Sequence, residues 1–450
     1  MSLEVRLTKG LNIPLRGEAE QVYSNTDQSK TFELKPTDFH SLTPKLNVKI
    51  GDLIEAGSVI FHDKYNEKIK FCSPVSGVVS DIVRGEKRRI LKIIINAEDK
   101  IRYKKISPVN INDLDRNRII TFMCDNGLWP FIRQKPYDII ANPIDIPKSI
   151  FISSFNTAPI SIDNDFALYG KEDLFQFGID IVSKLTNGTT HLNLDGYSNP
   201  SKVFTNCKGV QINSVYGPHP SGNVGIQIHH IDPINKDDVV WYLNPQDILT
   251  IATLFKDFKY DFSRIIAVSG SQIKRPKYYR TILGTCVSNF LKDNLKEGNT
   301  RIISGDVLTG SKIEKSGSLG FYDYQLTAIP EGDSSDFLGW LLPGLEKFSF
   351  SRSYFSWLMP LKKFIINANV NGEERAYVMT GQYEKVLPMD IYPNQLIKAI
   401  MIEDIELMEN LGIYEVSPSD FALCEFVCTS KIEVQSIIRR GLDLIRKENS

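Results

Sequence analysis

The segment from residue 51 to residue 79 constrains the fold of this chain more than any other stretch. Glycines such as Gly57 and Gly77 stand at turns between short runs of β-branched residues, and apolar and polar residues alternate along those runs. This pattern of short strands separated by tight turns predicts a small barrel-sandwich hybrid, the fold of domains that carry lipoate or biotin. Lys64 is the candidate for a modified lysine at a hairpin tip, but nine positions separate it from Ser73. We therefore predict a structural use of the fold, with a modified carrier as the alternative.

The composition of the chain excludes several classes of function. The 450 residues include 53 Lys and Arg against 54 Asp and Glu, a formal net charge of −1, so no chain-wide basic field favours nucleic acid. Six scattered cysteines favour reduced thiols over a disulfide framework. The N-terminus lacks the apolar core of a secretory signal, and no apolar run approaches the roughly 18–20 residues of a spanning helix. The sequence therefore predicts that the chain has no transmembrane segment and reaches a membrane only through a partner.

The changing residue patterns predict an α/β multidomain chain. Buried runs alternating with mixed segments indicate a parallel sheet with crossover helices. Near the C-terminus, apolar spacings of three and four indicate helices over 393–411 and 432–446, with Ser430 capping the second. The predicted segments are an extended N-terminal segment (1–40), a barrel-sandwich hybrid or lipoyl-like module (41–100), a Rossmann-like α/β domain (101–255), a β-grasp domain (256–335), an aromatic-rich connecting segment (336–379) and a helical C-terminal domain (380–450).

Three longer strings, taken together and in order, resemble one family. They are GLWPFIRQKPYDIIANP (127–143), VYGPHPSGNVGIQIHHIDP (215–233) and LCEFVCTSKIEVQ (423–435). Together with the hybrid module, they make the chain resemble, nearly end to end, the NqrA family, which supplies the A subunit of the sodium-translocating NADH:quinone oxidoreductases. It is more distantly similar to the C subunit of Rnf complexes and to the flavin-carrying, NADH-oxidising subunit of respiratory complex I. The resemblance implies a complex-I-flavoprotein-like α/β domain and a soluble-ligand-binding type of β-grasp domain.

The loop that binds flavin in these relatives is altered here. The relatives use a glycine-rich loop whose backbone N–H groups approach a phosphate. The corresponding residues 127–133 contain one glycine and several bulky side chains, and no G-x-G-x-x-G occurs elsewhere in the chain. The resemblance therefore implies that the flavin and NADH sites are lost and that this chain binds no cofactor of its own.

The cysteines and histidines predict structural roles. Relatives hold iron–sulphur clusters with four thiolates in a tight run, whereas here only Cys424 and Cys428 lie close together, and we interpret them as vestigial. His219, His229 and His230 could bind zinc, but neither a cysteine nor a suitably spaced carboxylate completes the set. We therefore expect no metal or Fe–S site. Because the sequence contains no Ser-His-Asp or Cys-His motif, we also predict no catalytic residue.

Aromatic side chains occupy the loop where the relatives hold flavin. Trp129, Phe131 and Tyr137, together with Arg133, would suit a flat apolar ring that bears carbonyl groups, as a quinone headgroup does. These four are the candidate quinone-binding residues. The alternative is that the aromatic side chains fill the emptied cavity or dock a partner subunit.

A second aromatic run spans residues 348–360, where aromatic residues alternate with serines. In an extended conformation this alternation would present one apolar face. The run is either packing between domains or an exposed patch that seats the chain on a membrane partner.

The resemblance implies a peripheral component of a complex that couples NADH oxidation by quinone to Na⁺ export, on the cytoplasmic side of the bacterial inner membrane. The flavins, the iron–sulphur centre, NADH, quinone and Na⁺ would be bound by other subunits of the complex. The partners of this chain would be those subunits, especially the membrane-embedded ones. The chain itself would support assembly, with a contribution to quinone binding left open, and would not be catalytic in isolation. The alternatives are a purely structural scaffold and an electron-transfer component of an Rnf-type complex.

Overall fold

The structure is a computed structural model that describes residues 2–110, 113–332, 339 and 341–449. The predicted boundary between the β-grasp domain and the connecting segment, at residues 335 and 336, lies outside the described residues. The strands are β1 (Glu4–Arg6), β2 (Glu20–Ser24), β3 (Thr31–Leu34), β4 (Pro44–Leu46), β5 (Leu53–Ile54), β6 (Val59–Asp63), β7 (Lys70–Cys72), β8 (Gly77–Arg84), β9 (Ile90–Ala97), β10 (Arg133–Lys135), β11 (Ile139–Ile140), β12 (Ser149–Ser153), β13 (Thr189–Asp195), β14 (Gln211–Tyr216), β15 (Val240–Leu243), β16 (Ser263–Ser269), β17 (Lys277–Ile282), β18 (Thr300–Ser304), β19 (Ser311–Ile313) and β20 (Gln325–Pro330).

The helices connect these strands and form most of the C-terminal part. They are α1 (Arg116–Asp125), α2 (Asn164–Ala167), α3 (Glu172–Val182), α4 (Lys202–Thr205), α5 (Val224–Ile231), α6 (Pro245–Asp257), α7 (Ser288–Leu291), α8 (Tyr383–Val386), α9 (Pro393–Met401), α10 (Ile405–Asn410), α11 (Ala422–Phe426) and α12 (Val434–Glu448). In the described part of the chain, no helix is both long and apolar enough to cross a bilayer.

The barrel-sandwich hybrid consists of two small sheets, β3-β9-β8-β5 and β4-β6-β7. Their inward side chains, among them Phe61, Val79 and Ile95, are fully buried. Gly57 has a φ of +95°, and a Cβ there would collide with the ring of Tyr260. A glycine is therefore needed where the module packs against the next domain.

A seven-stranded sheet, ordered β1-β14-β13-β12-β15-β10-β11, forms the α/β domain. The first five strands are parallel to one another, and β10 runs antiparallel to both of its neighbours, β15 and β11. Helices cover both faces, because Ile150 of β12 shares a core with α3 and α6, whereas Phe151 shares one with α5 and the C-terminal helices. The chain runs from β12 through β13 to β14 on one side and places β15 on the other, so the strand order reverses beside β12.

The N-terminal segment, residues 1–40, contributes to three sheets. β1 pairs with β14 in the α/β sheet, β2 pairs with β17 in a six-stranded sheet, and β3 pairs with β9 in the barrel module. The six-stranded sheet has the order β19-β18-β20-β16-β17-β2, with β16 and β20 parallel and the hairpin β16–β17 antiparallel. The first strands thus tie the three units together.

The C-terminal part is helical, as predicted, but its boundaries differ. The predicted helix over 393–411 is broken at Glu403, whose φ is +59°, and Asp404 then caps α10 through Leu407 N–H. The prediction that Ser430 caps the last helix is wrong, because α12 follows Glu433 and the Ser430 hydroxyl donates to the Ala376 carbonyl. The first difference is a local change of backbone conformation, and the second arises because the Ser430 hydroxyl bonds a carbonyl that is distant in sequence.

The aromatic run over 348–360 is not extended. It consists of turns followed by a 3₁₀ helix at Phe355–Leu358, so the predicted single apolar face is wrong. Phe348 turns inward to Phe364 and Phe426, with ring centroids 6.0 and 6.4 Å away. Without a neighbouring strand to pair with, the backbone has no ladder that would hold it extended.

Candidate functional site

The loop at residues 127–133 packs into the interior. After α1 it forms a 3₁₀ helix over Trp129–Phe131 and then enters β10. Trp129 is fully buried, its Nε1–H donates to the Ala141 carbonyl at 2.7 Å, and its ring meets Trp241 edge-on at 5.4 Å. A Cβ on Gly127 would lie 2.5 Å from the Cys72 sulphur, because the loop runs directly against the barrel module.

Phe131 lies at the centre of an aromatic cluster that joins three units. Its ring stacks on Phe321 of the six-stranded unit at 5.0 Å, and Phe321 meets Phe39 from the N-terminal part at 4.8 Å. Phe39 in turn packs on Phe71 of the barrel module at 4.5 Å. Phe131 is 1% exposed. Trp129 and Phe131 therefore occupy core positions and contact other side chains on all sides.

Arg133 is held between aromatic rings and a carboxylate. Its guanidinium lies 2.9 Å from Asp138, 5.0 Å from the Tyr242 ring centroid and 4.6 Å from that of Tyr322. The Tyr242 hydroxyl also donates to Asp138. Burial alone would raise the pKa of Asp138, but Arg133 and the other cations around it hold that pKa below its ordinary value. The Arg133–Asp138 pair is thus charged at neutral pH.

Tyr137 lies at the contact with the C-terminal helices. It has a φ of +77°, its carbonyl accepts from Arg439 at 2.7 Å, and its ring centroid is 6.3 Å from that of Tyr414. Of the four residues predicted from the sequence, the structure brings Arg133 and Tyr137 toward the domain junction, while Trp129 and Phe131 remain inside.

A cavity of about 180 Å³ lies at this junction. Its walls come from the ends of β12 and β14, from β10 and β15, from the loop after β18 and from the C-terminal part, and the lining residues are Arg133, Lys135, Asp138, Asn156, Ala158, His219, Asn223, Val224, Tyr242, Asp306, Thr309, Ser417 and Ser419. The carboxyl ends of parallel strands beside a reversal of strand order are where open α/β sheets bind ligands. This cavity is small and mostly polar, unlike the larger apolar pockets that take drug-sized molecules.

His219 is a buried member of the cavity wall. Thr157 Oγ1 accepts from Gly222 N–H at 2.9 Å and is hydrogen-bonded to His219 Nδ1 at 3.0 Å. The other ring nitrogen, Nε2, is buried and has no hydrogen-bond partner among the described residues. Burial lowers the pKa of His219 to about 4.

Beneath the cavity, Lys135 and Asp420 form an ion pair of 2.8 Å in which both side chains are 1% exposed. Ser417 completes the group, because Lys135 Nζ donates to its hydroxyl at 2.9 Å and that hydroxyl lies 2.6 Å from Asp420. A Cβ on Gly225, in the first turn of α5, would collide with both charged groups. Sequence reasoning missed this pair, although Ser417 and Asp420 form a capping box whose S-x-x-D pattern was readable.

His229 and His230 lie apart from His219 and hold the C-terminal part against α5. His229 Nε2 accepts from Asp390 N–H at 3.0 Å, so Nδ1 donates to Glu415 at 2.6 Å. His230 Nε2 lies 2.6 Å from the Pro388 carbonyl. The three histidines that were predicted as one cluster therefore lie at two separate sites.

The Cys424 and Cys428 thiols are buried in and just after α11. The Tyr383 hydroxyl donates to Cys428 Sγ at 3.0 Å, and burial raises the pKa of Cys424 well above its ordinary value. Within the described ranges, no group of three or more His, Cys, Asp or Glu side chains is arranged to hold a metal ion.

The buried His219 predicts a defined pH dependence of stability. An unfolded histidine has a pKa near 6.5, whereas burial lowers the pKa of His219 to about 4, so the unfolded state binds the proton more readily. The free energy of unfolding therefore falls as the pH drops from 6.5 toward 4, by about 3 kcal/mol for this group. Burial raises the pKa values of Asp38 and Asp247 to about 6, so these two groups make the free energy of unfolding rise as the pH drops. We therefore expect the difference in unfolding free energy between the native chain and His219→Asn to shrink over this range. A difference that stays constant with pH, measured by denaturant titration, would contradict the assignment.

Three family profiles match consecutive parts of the chain. They are described as the NqrA N-terminal barrel-sandwich hybrid domain (residues 5–98), the NqrA second alpha/beta domain (residues 114–260) and the NQRA C-terminal domain (residues 265–315). The first two agree with the barrel module and the α/β sheet of the structure.

Relatives cover the chain almost completely. The A subunit of the Na(+)-translocating NADH-quinone reductase of Saccharophagus degradans is 34% identical over 448 residues, which are 99% of this chain and 100% of that protein. The proteins of the same name from Alcanivorax borkumensis and Pasteurella multocida are also 34% identical, over 99% of this chain and 100% of each. A solved NAD+-reducing [NiFe]-hydrogenase aligns over 42% of this chain and 41% of its own, at 12% identity and a TM-score of 0.32, which is too low to support an argument. Because these relatives match nearly the whole sequence, the chain belongs to the NqrA family, the A subunits of the Na⁺-translocating NADH-quinone reductases.

Proposed function

We propose that this chain is the peripheral A subunit of a sodium-pumping NADH:quinone reductase, located on the cytoplasmic side of the bacterial inner membrane. It acts as an assembly subunit that carries neither flavin nor an Fe–S cluster, while the other subunits bind the cofactors. One observation carries the subunit assignment, namely the 34% identity to a reductase A subunit over 99% of this chain. The burial of Trp129 and Phe131, in the loop that the resemblance aligns with the cofactor loop of flavoproteins, supports the cofactor-free part of the proposal. Side chains that fill such a position stabilise the domain and leave no room for an isoalloxazine ring.

The finer fold assignments belong to the same proposal. A β-grasp assignment for the six-stranded unit is supported by the central order β17-β16-β20-β18 with β16 and β20 parallel. A flavoprotein-like ancestry of the α/β domain is supported by the strand order β14-β13-β12-β15, with its reversal beside β12.

The connecting segment supplies the docking face in this proposal. Its apolar side chains are unusually exposed, with Trp357 at 51%, Phe355 at 55% and Leu361 at 96%. Contiguous exposed apolar side chains mark interaction surfaces. We assign this patch to contact with a membrane-embedded subunit, because the described part of the chain leaves these side chains open to water.

The test is an affinity pull-down of the tagged chain from detergent-solubilised native membranes. We expect the native chain to recover Na⁺-stimulated NADH:quinone reductase activity, with the flavin in the other subunits. Trp357→Glu/Leu361→Glu is expected to lower the recovered activity about tenfold or more, because it places charges in an apolar contact.

The matched control is Tyr169→Glu/Tyr197→Glu, since these aromatic side chains are 79% and 74% exposed on the α/β domain. This control should recover the native activity. An inactive, colourless eluate from the native chain would contradict the assembly role, and equal losses in both double variants would contradict the docking face alone.

A contribution to quinone binding is the second candidate function. It rests on Arg133, which lies on the cavity wall, and on Tyr137 beside the C-terminal helices. Trp129 and Phe131 would act indirectly in this candidate, by supporting the loop that carries Arg133. An Arg133→Ala variant that folds and assembles but binds quinone with unchanged affinity would remove this candidate.

A further inference from the structure

A second pocket, of about 260 Å³, lies on the six-stranded unit where β2 and β17 meet α7. Three cationic side chains, those of Arg275, Lys277 and Lys292, line it together with amide and hydroxyl groups, and its lining includes no carboxylate among the described residues. The chain as a whole is balanced at a net charge of −1, so this concentration of one sign is local. A concave site with one sign of charge attracts counter-ions.

No described carboxylate lies within ion-pair distance of these three cations. Within the described ranges, none of Arg275, Lys277 and Lys292 forms an ion pair, although exposed cations elsewhere, such as Lys45 with Glu67, do. Like charges held around one pocket repel each other, and water only partly screens that repulsion. An anion bound between them would relieve it.

Tyr279 adds a donor that the fold leaves unused. Its side chain is only 7% exposed, and its ring packs edge-on against Phe290 at 5.3 Å. Tyr279 belongs to the pocket lining, and its hydroxyl has no hydrogen-bond partner in the part of the chain that the structure describes. A buried tyrosine usually finds a partner for its hydroxyl, so this one is free to donate into the pocket.

The frame of the pocket is ordered by hydrogen bonds. Asn294, 4% exposed, accepts from Arg275 N–H at 3.0 Å and donates to the Phe290 carbonyl at 3.2 Å. Asn289 donates to the Asp27 carbonyl at 2.9 Å, which fastens the chain after β2 over the pocket. The cations are therefore presented from a fixed backbone, which reduces the entropy lost on binding.

We propose that this pocket binds a phosphoryl-type oxyanion, either on a soluble phosphorylated molecule or on the headgroup of an anionic phospholipid. Guanidinium and ammonium groups with a phenolic hydroxyl supply only donors to such an anion, and phosphate oxygens accept strong charge-assisted hydrogen bonds. The site is separate from the cavity at Arg133 and does not depend on the proposed docking face.

The experiment titrates the full chain with inorganic pyrophosphate at constant ionic strength, and in a second arm with sedimentable vesicles of phosphatidylcholine with or without phosphatidic acid. We expect saturable binding in at least one arm, seen as a rise in Tm or as co-sedimentation. Lys277→Gln/Lys292→Gln should weaken that binding about tenfold or more, and Tyr279→Phe about threefold.

The matched control is Lys49→Gln/Lys105→Gln, which removes the same charge from exposed lysines of the barrel module and its following segment. If the chain binds pyrophosphate and only the pocket variants weaken that binding, the ligand is a soluble phosphorylated molecule. If the chain binds only the acidic vesicles, the ligand is a lipid headgroup. The Tm without ligand reports whether each variant folds, and Tyr279→Phe keeps the ring in place. No binding in either arm, or equal weakening in the control, would overturn the proposal.

Discussion

Replacement of Phe131 by alanine is expected to lower the free energy of unfolding by about 3–5 kcal/mol. The ring is 1% exposed and stacks on Phe321 at the meeting point of three units. Its loss leaves a cavity that rigidly packed neighbours fill only in part. Guanidinium unfolding followed by tryptophan fluorescence should show the loss, because Trp129 and Trp241 lie in the same domain.

The control for this prediction is Tyr197→Ala, whose side chain is 74% exposed. We expect it to change stability by less than about 0.5 kcal/mol. The pair of variants also separates the two interpretations of the aromatic loop. If Phe131→Ala unfolds like the control and instead weakens quinone binding, Phe131 faces a ligand and the filled-core interpretation is wrong.

The second large effect concerns the buried ion pair. Lys135→Met is expected to cost about 3–5 kcal/mol, because it leaves the Asp420 carboxylate buried without its counter-charge. The two side chains are each 1% exposed and lie 2.8 Å apart, so the variant removes the opposite charge that directly contacts a buried carboxylate. The variant should also loosen the C-terminal part from the α/β domain, which limited proteolysis would detect.

Two comparisons sharpen the ion-pair prediction. Lys135→Met/Asp420→Leu should recover most of the lost stability, since replacing both partners removes the uncompensated charge. Lys148→Met breaks the pairs with Asp232 and Asp238 at a site where the lysine is 34% exposed, and should cost less than about 1 kcal/mol. A double variant as unstable as Lys135→Met would show that packing, not charge, dominates at this position.

Features carried by local patterns could be predicted from the sequence. The turns of the barrel module, the buried parallel strands and the amphipathic C-terminal helices depend on residues close together in the chain, and the structure contains all three. The break at Glu403 and the inward turn of Phe348 were not predicted. The first is a single residue with a left-handed backbone, which side-chain periodicity does not encode, and the second depends on a ring that is distant in sequence.

In the candidate site, too, some features could be predicted from the sequence and others depended on the tertiary structure. The unusual loop at 127–133 was visible as a sequence feature, but an aromatic residue suits a ligand wall and a core equally well, and only the packing of Phe131 on Phe321 separates the two. His219 and His229 look alike in sequence, yet one lines a cavity and the other pairs with Glu415.

By itself, the sequence determined the family, the barrel-sandwich hybrid, the α/β domain that follows it and the helical C-terminal part, because these depend on residue type and short-range spacing. Only the tertiary structure decided that Trp129 is part of the core, that Lys135 and Asp420 meet across 285 positions, and that three cations converge on one pocket beside Tyr279. Burial and charge pairing are set by which distant segments pack together, and no local pattern of residues records that.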